Sequence, residues 1–121
     1  MTVASASTLG LSGTPAHPLS IAVAADEGMD LSAHRSQALT GFLLRASDLV
    51  LAMTEEHRED CIRRFPAGAE RVKLLGGFCP GARDRAPEGE IEDPLGGDMD
   101  YFRAIWGQIK EGVDGMLARY F

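Results

Sequence analysis

The stretch Asp48-Leu49-Val50-Leu51-Ala52-Met53 constrains the fold more than any other part of the chain. A continuous apolar run this short reads as a strand buried on both faces, the habit of a parallel sheet. Thr54 follows at once as a helix N-cap, with Glu55 and Glu56 in the first turn, where the helix dipole favours negative charge. That helix is predicted to run to about Phe65 and to stop at Pro66. Residues 72–75 read as a second short buried strand. Strands alternating with helices imply an α/β fold with a parallel sheet, and such sheets bind ligands at the carboxyl ends of their strands.

The other elements fit this frame. Thr2-Val3-Ala4-Ser5 reads as a strand, and residues 9–15 have loop composition. A helix is predicted over 18–27, with proline near its start, Leu19, Ala22 and Val23 on one side, and Gly28 as its stop. Residues 29–39 read as irregular and carry His34-Arg35-Ser36. Thr40 can cap a short helix over Gly41–Ala46. A long loop over 76–97 leads to a final helix capped by Asp98. In it Phe102, Ile105, Trp106, Ile109, Val113, Met116, Leu117 and Tyr120 form a wide apolar stripe. Ser5 to Thr14, Thr54 and the 76–97 loop all follow strands, so they are expected to gather at one end of the sheet.

At 121 residues the chain is read as one domain spanning 1–121, with 45% hydrophobic and 25% charged residues, a globular composition. Eighteen acids against twelve bases give a formal charge of −6, which argues against nucleic acid as a partner. No apolar run approaches membrane-spanning length, and the first residues carry neither a basic region nor an apolar segment, so neither a membrane nor secretion is expected. Cys61 and Cys79 read as free thiols in a reducing compartment, which points to the cytoplasm. His17 and His57 stand apart from other ligand types, so no metal site and no cofactor is expected.

Ile91-Glu92-Asp93-Pro94-Leu95-Gly96-Gly97 is where chemistry is sought. Pro94 pushes Asp93 out of the α region, so the carboxyl group sits on a stiff, extended turn. A carboxyl held at the rim of a cleft suits a general acid. The same seven residues also read as a plain turn before a helix.

Several segments, in order, resemble the low-molecular-weight protein tyrosine phosphatases and their arsenate-reductase-like relatives. Val3-Ala4-Ser5-Ala6-Ser7-Thr8 is similar to the family's second strand and following turn. Gly28-Met29-Asp30-Leu31-Ser32-Ala33-His34-Arg35-Ser36 resembles the segment after it, and the runs at 48–54 and 72–76 resemble the third and fourth strands. Asp93-Pro94 falls where the family has its general-acid loop. The resemblance implies a three-layer α/β sandwich with a four-stranded parallel sheet in the order 2-1-3-4. It also implies hydrolysis of phosphotyrosine, on a protein or as a small aryl phosphate, through a cysteine thiolate nucleophile. Asp93 would then be the general acid, Pro94 would stiffen its loop, and Ser5 would brace the phosphate-binding loop.

The family's Cys-x5-Arg-Ser/Thr loop would precede Val3, between a first strand and a first helix, and residues 1–121 contain no such motif. The expectation is therefore a domain incomplete at its N-terminus and inactive alone, its open strand edges offering a route to a dimer. A non-catalytic binding domain is the alternative, and an arsenate reductase would need more redox cysteines. Cys79-Pro80-Gly81-Ala82-Arg83-Asp84-Arg85 matches Cys-x5-Arg but reads as a decoy. Ala86 replaces the Ser/Thr, Pro87 opposes a helix start, and Asp84 would repel a dianion. Cys61 is expected in the core or at the surface of a helix. His34 and Arg35 read as solvated loop residues. Gln37 stands where the family often has a basic residue, and Leu95 where many members carry an aromatic.

Overall fold

The two strands expected at 48–53 and 72–75 form and pair in parallel. β1 (Val50–Ala52) lies beside β2 (Val72–Leu74), with Val50 opposite Val72 and Ala52 opposite Leu74. This computed structural model describes residues 1–81 and 89–121. Among the described residues four helices stand around the strands, α1 (Pro18–Asp26), α2 (Gly41–Ala46), α3 (Glu55–Arg64) and α4 (Met99–Tyr120). Two 3-10 segments, Pro66–Arg71 and Leu75–Phe78, bracket β2.

Helix starts follow the sequence signals. Thr40 Oγ1 accepts from the Leu43 N–H at 3.2 Å, Thr54 Oγ1 from the His57 N–H at 3.2 Å, and Asp98 Oδ1 from the Tyr101 N–H at 2.9 Å. Each such cap contributes about 1 kcal/mol by satisfying an orphan donor. His17 does the same for α1 through Nδ1, at 3.1 Å from the Leu19 nitrogen, and its ring stacks on Phe102 of α4.

Strand periodicity of two divides the core into two layers. Val50, Ala52, Val72 and Leu74 pack with Leu44 of α2 and Cys61 of α3. Leu51 and Met53 point the other way, to Leu75, Ile91 and Ile105. The result is helices, sheet and helix, the sandwich expected, with α1 laid against α4. Burying a side chain such as Leu44 or Ile91, each 1% exposed, contributes about 1.5–3 kcal/mol.

The α4 stripe packs against the 3-10 segment that follows β2. Gly115 makes this approach possible, because a Cβ there would run into the Phe78 carbonyl oxygen. Phe102 and Ile105 are buried, Trp106, Ile109, Val113, Met116 and Leu117 are half-buried, and Tyr120, expected in the core, is exposed with its ring edge on Phe78.

Three expectations need correction. Residues 2–5 form no strand. They are exposed, and the nearest pairing is an isolated parallel bridge from Ser7 to Ala38. Strand formation needs a ladder partner, and among the described residues none lies beside them. β1 is shorter than the 48–53 run, and Val50 and Leu51 are only half-buried, since β2 covers one edge and the other has no strand partner among the described residues. Finally, the 76–97 loop is not all irregular, because its first residues belong to the Leu75–Phe78 3-10 segment.

Candidate active site

The loop that carries Asp93 is fastened at its base to the end of β1. The Ile91 N–H donates to the Met53 carbonyl at 2.8 Å, and the Ile91 side chain is buried in the second core layer. One residue earlier, Glu90 Oε1 accepts from the Glu55 N–H at 2.8 Å, in the first turn of α3. A carboxylate at a helix N-terminus satisfies an orphan donor and complements the dipole. The sheet's carboxyl end, the start of α3 and the acid loop therefore meet at one place.

Beyond Ile91 the loop holds itself in shape. Asp93 Oδ1 accepts from the Leu95 N–H at 3.0 Å, and the Gly97 N–H donates to the Pro94 carbonyl at 2.8 Å. Gly96 sits at φ +88°, a conformation side chains resist. The Tyr101 hydroxyl donates to Glu92 Oε2, and a Cβ at Gly97 would run into the Tyr101 ring. That hydrogen bond to Glu92 leads the causes that raise the Tyr101 phenol above its ordinary value; burial and the charges of Glu92 and Asp93 add to it. Asp93 is exposed, Pro94 half-buried, and Leu95 is 71% exposed beside them.

Ser5 lies elsewhere. With Val3, Ala4, His34, Arg35 and Gln37 it lines an open groove of about 390 Å³. Arg35 turns its guanidinium onto the backbone, donating to the Ser32 and His34 carbonyls at 3.2 and 2.7 Å, so His34 and Arg35 remain exposed loop residues. Residues 7–14 are tied to 36–39 by backbone bonds, and Arg64 in the last turn of α3 donates to the Thr8 carbonyl at 3.0 Å. Glu90, by contrast, is bonded at the first turn of the same helix. Among the described residues no hydrogen bond or ion pair joins Ser5 to Thr14 with the acid loop. Thr54 and the Asp93 loop meet at one sheet end as expected, while residues 7–14 are bonded to residues 36–39 and to the last turn of α3.

The cysteines are both free and buried. Cys79 Sγ donates to the Gln108 carbonyl of α4 at 3.3 Å, so its S–H is engaged with the helix backbone. The rest of the Cys-x5-Arg stretch, from Ala82 through Arg85 to Pro87, lies outside the described residues. Cys61 sits in the first core layer, where burial and then the Asp60 charge push its thiol pKa up against the opposing Arg64. Ile91 and Glu92 enter the sequence reading only as part of the 91–97 stretch, and Glu90 and Tyr101 not at all. A lone isoleucine between acids was a usable signal for an anchored loop; the tyrosine three residues past the Asp98 cap was another.

The sequence matches the low molecular weight phosphotyrosine protein phosphatases over residues 1–120. The chain belongs to this family. Among relatives, it is 34% identical to "Probable low molecular weight protein-tyrosine-phosphatase EpsP" of Ralstonia solanacearum, over 98% of this chain and 77% of that protein. It is 30% identical to the protein-arginine-phosphatase of Geobacillus stearothermophilus, over 97% of this chain and 75% of that one. In structure it resembles Vibrio vulnificus Wzb in complex with benzylphosphonate, with a TM-score of 0.81 and 28% identity over 98% of this chain and 79% of that chain. The α/β phosphatase fold and its short parallel sheet are thereby shown. No helix among the described residues of this phosphatase-family chain is long and apolar enough to cross a membrane.

Proposed function

We propose that Asp93 is the general acid of a phosphomonoester hydrolase and protonates the oxygen that leaves phosphorus. The observation that carries this is the bond from Ile91 to Met53, which fixes an Asp-Pro loop at the carboxyl end of β1, where α/β sheets bind ligands. Phosphoryl transfer from an aryl ester expels a phenoxide, and a positioned acid that supplies its proton contributes about 10²–10⁴-fold. The nucleophile must be a thiolate stabilised by N–H donors or an arginine. Among the described residues neither cysteine has such donors: Cys79 donates to a carbonyl, and burial pushes the Cys61 thiol up.

The family supports phosphotyrosine, on a protein or as a small aryl ester, as substrate. Ser5 and Pro94 act in support, one from the groove it lines and the other by stiffening the Asp93 turn. Two buried free thiols fit a reducing compartment, and we place the activity in the cytoplasm. The edge of β1 that has no strand partner among the described residues supports self-association through strand pairing.

Two preparations test this reading. The purified 121-residue chain is expected to turn over no aryl phosphate, and turnover abolished by Cys79→Ser would overturn the assignment of Cys79 as structural. A chimera with a family strand, Cys-x5-Arg-Ser/Thr loop and helix placed before residue 1 is expected to be active. There Asp93→Asn should lower kcat by about 10²-fold or more.

A further inference from the structure

Tyr101 belongs to the first turn of α4, yet three of its groups reach the acid loop. Its hydroxyl donates to Glu92, the residue next to Asp93. Its ring lies where a side chain at position 97 would stand. Its backbone N–H donates to Asp98, which closes the loop and caps the helix. Between these contacts the loop has only its internal bonds, Leu95 N–H to Asp93 and Gly97 N–H to Pro94. The Ile91 anchor holds one end of the loop to β1. Among the described residues, no other hydrogen bond or ion pair ties residues 92–97 to the body of the molecule; Glu90 is bonded to α3 before that stretch begins.

We propose that Tyr101 is a positioning residue for Asp93: by holding Glu92 and packing on Gly97, it fixes the acid loop against α4. The claim rests on the reading of Asp93 as the acid and goes beyond it. Tyr101 touches neither substrate nor leaving group. It sets the direction in which the neighbouring carboxyl projects, and a small misplacement of a catalytic group costs rate.

The test compares the 121-residue chain with Tyr101→Phe and Glu92→Gln variants by NMR. Hydrogen exchange at the Leu95 and Gly97 amides should accelerate about tenfold in both variants, while the Ile91 amide keeps its protection. The Tyr101 phenol should titrate above the ordinary phenol value in the parent and fall back in Glu92→Gln. In the active chimera, Tyr101→Phe should lower kcat with KM unchanged, and most for esters with poor leaving groups. Unchanged exchange at Leu95 and Gly97 would overturn the proposal, as would loosening that spreads equally to Ile91 and α4. A kcat loss in Asp93→Asn with none in Tyr101→Phe would overturn it and leave the acid standing. Loop loosening in Tyr101→Phe beside a fully active Asp93→Asn would overturn the acid reading, and with it the catalytic purpose of the latch.

Discussion

Residues 1–16 and residues 89–98 both lie outside the helices and paired strands, but they are held in opposite ways. The acid loop begins with a buried isoleucine, is bonded to a strand end and a helix N-terminus, and finishes in a helix cap. The N-terminal segment leaves Val3 and Leu9 about four-fifths exposed and meets the rest through isolated bridges and the Arg64 bond to Thr8. Apolar residues do not order a segment by themselves. Order comes from a neighbour that takes both the side chains and the backbone groups.

The largest effects should come from the anchors of the ordered side. Ile91→Ala removes a side chain 1% exposed and should cost about 2–5 kcal/mol. Val3→Ala should stay within about 0.5 kcal/mol. Denaturant melts of both variants measure the contrast, and equal losses would break it. Gly115→Ala comes next. In an open helix this change would stabilise, but the Phe78 carbonyl stands in the way, so a loss of about 1–3 kcal/mol is expected. A gain in stability would mean that the 3-10 segment does not sit against α4.

Smaller effects sharpen the comparison. Thr54→Ala, which leaves the His57 N–H without its cap, should cost about 1 kcal/mol. Thermal denaturation would register it. The smallest concerns pH. The Cys61 thiol has its pKa raised by burial, so the folded state holds its proton to higher pH than the unfolded state. Its contribution is fully present below the unfolded pKa, near the ordinary thiol value of 9.0, and is lost as pH rises through the folded one. Stability should therefore decline above about pH 9, and Cys61→Ala should flatten that decline whatever it does to the baseline. A parent curve that is already flat there would contradict it.

Much of this was legible in the sequence because its causes are local. Thr40, Thr54 and Asp98 announce their helices, and the short runs at β1 and β2 announce strands with side chains on both faces. Asp93-Pro94 announces a stiff turn. Residues 2–5 misled because a strand's pattern says nothing about whether a partner lies beside it. The hold on the acid loop was equally out of reach. The bond from Ile91 to Met53 spans 38 residues and that from Glu90 to Glu55 spans 35, and no period or spacing rule connects such pairs. Tyr101 lies one turn ahead of Ile105 on the stripe's own face and packs against the second core layer, so its spacing reads as core and says nothing of Glu92.

The most direct test of the central claim is the leaving-group dependence of turnover in the active chimera, measured with and without Asp93→Asn. The account predicts that the variant loses most with esters of weakly acidic phenols and little with esters of strongly acidic ones, because only the former need a proton to depart. An Asp93→Asn loss that is the same for every leaving group, or no loss at all, would contradict it.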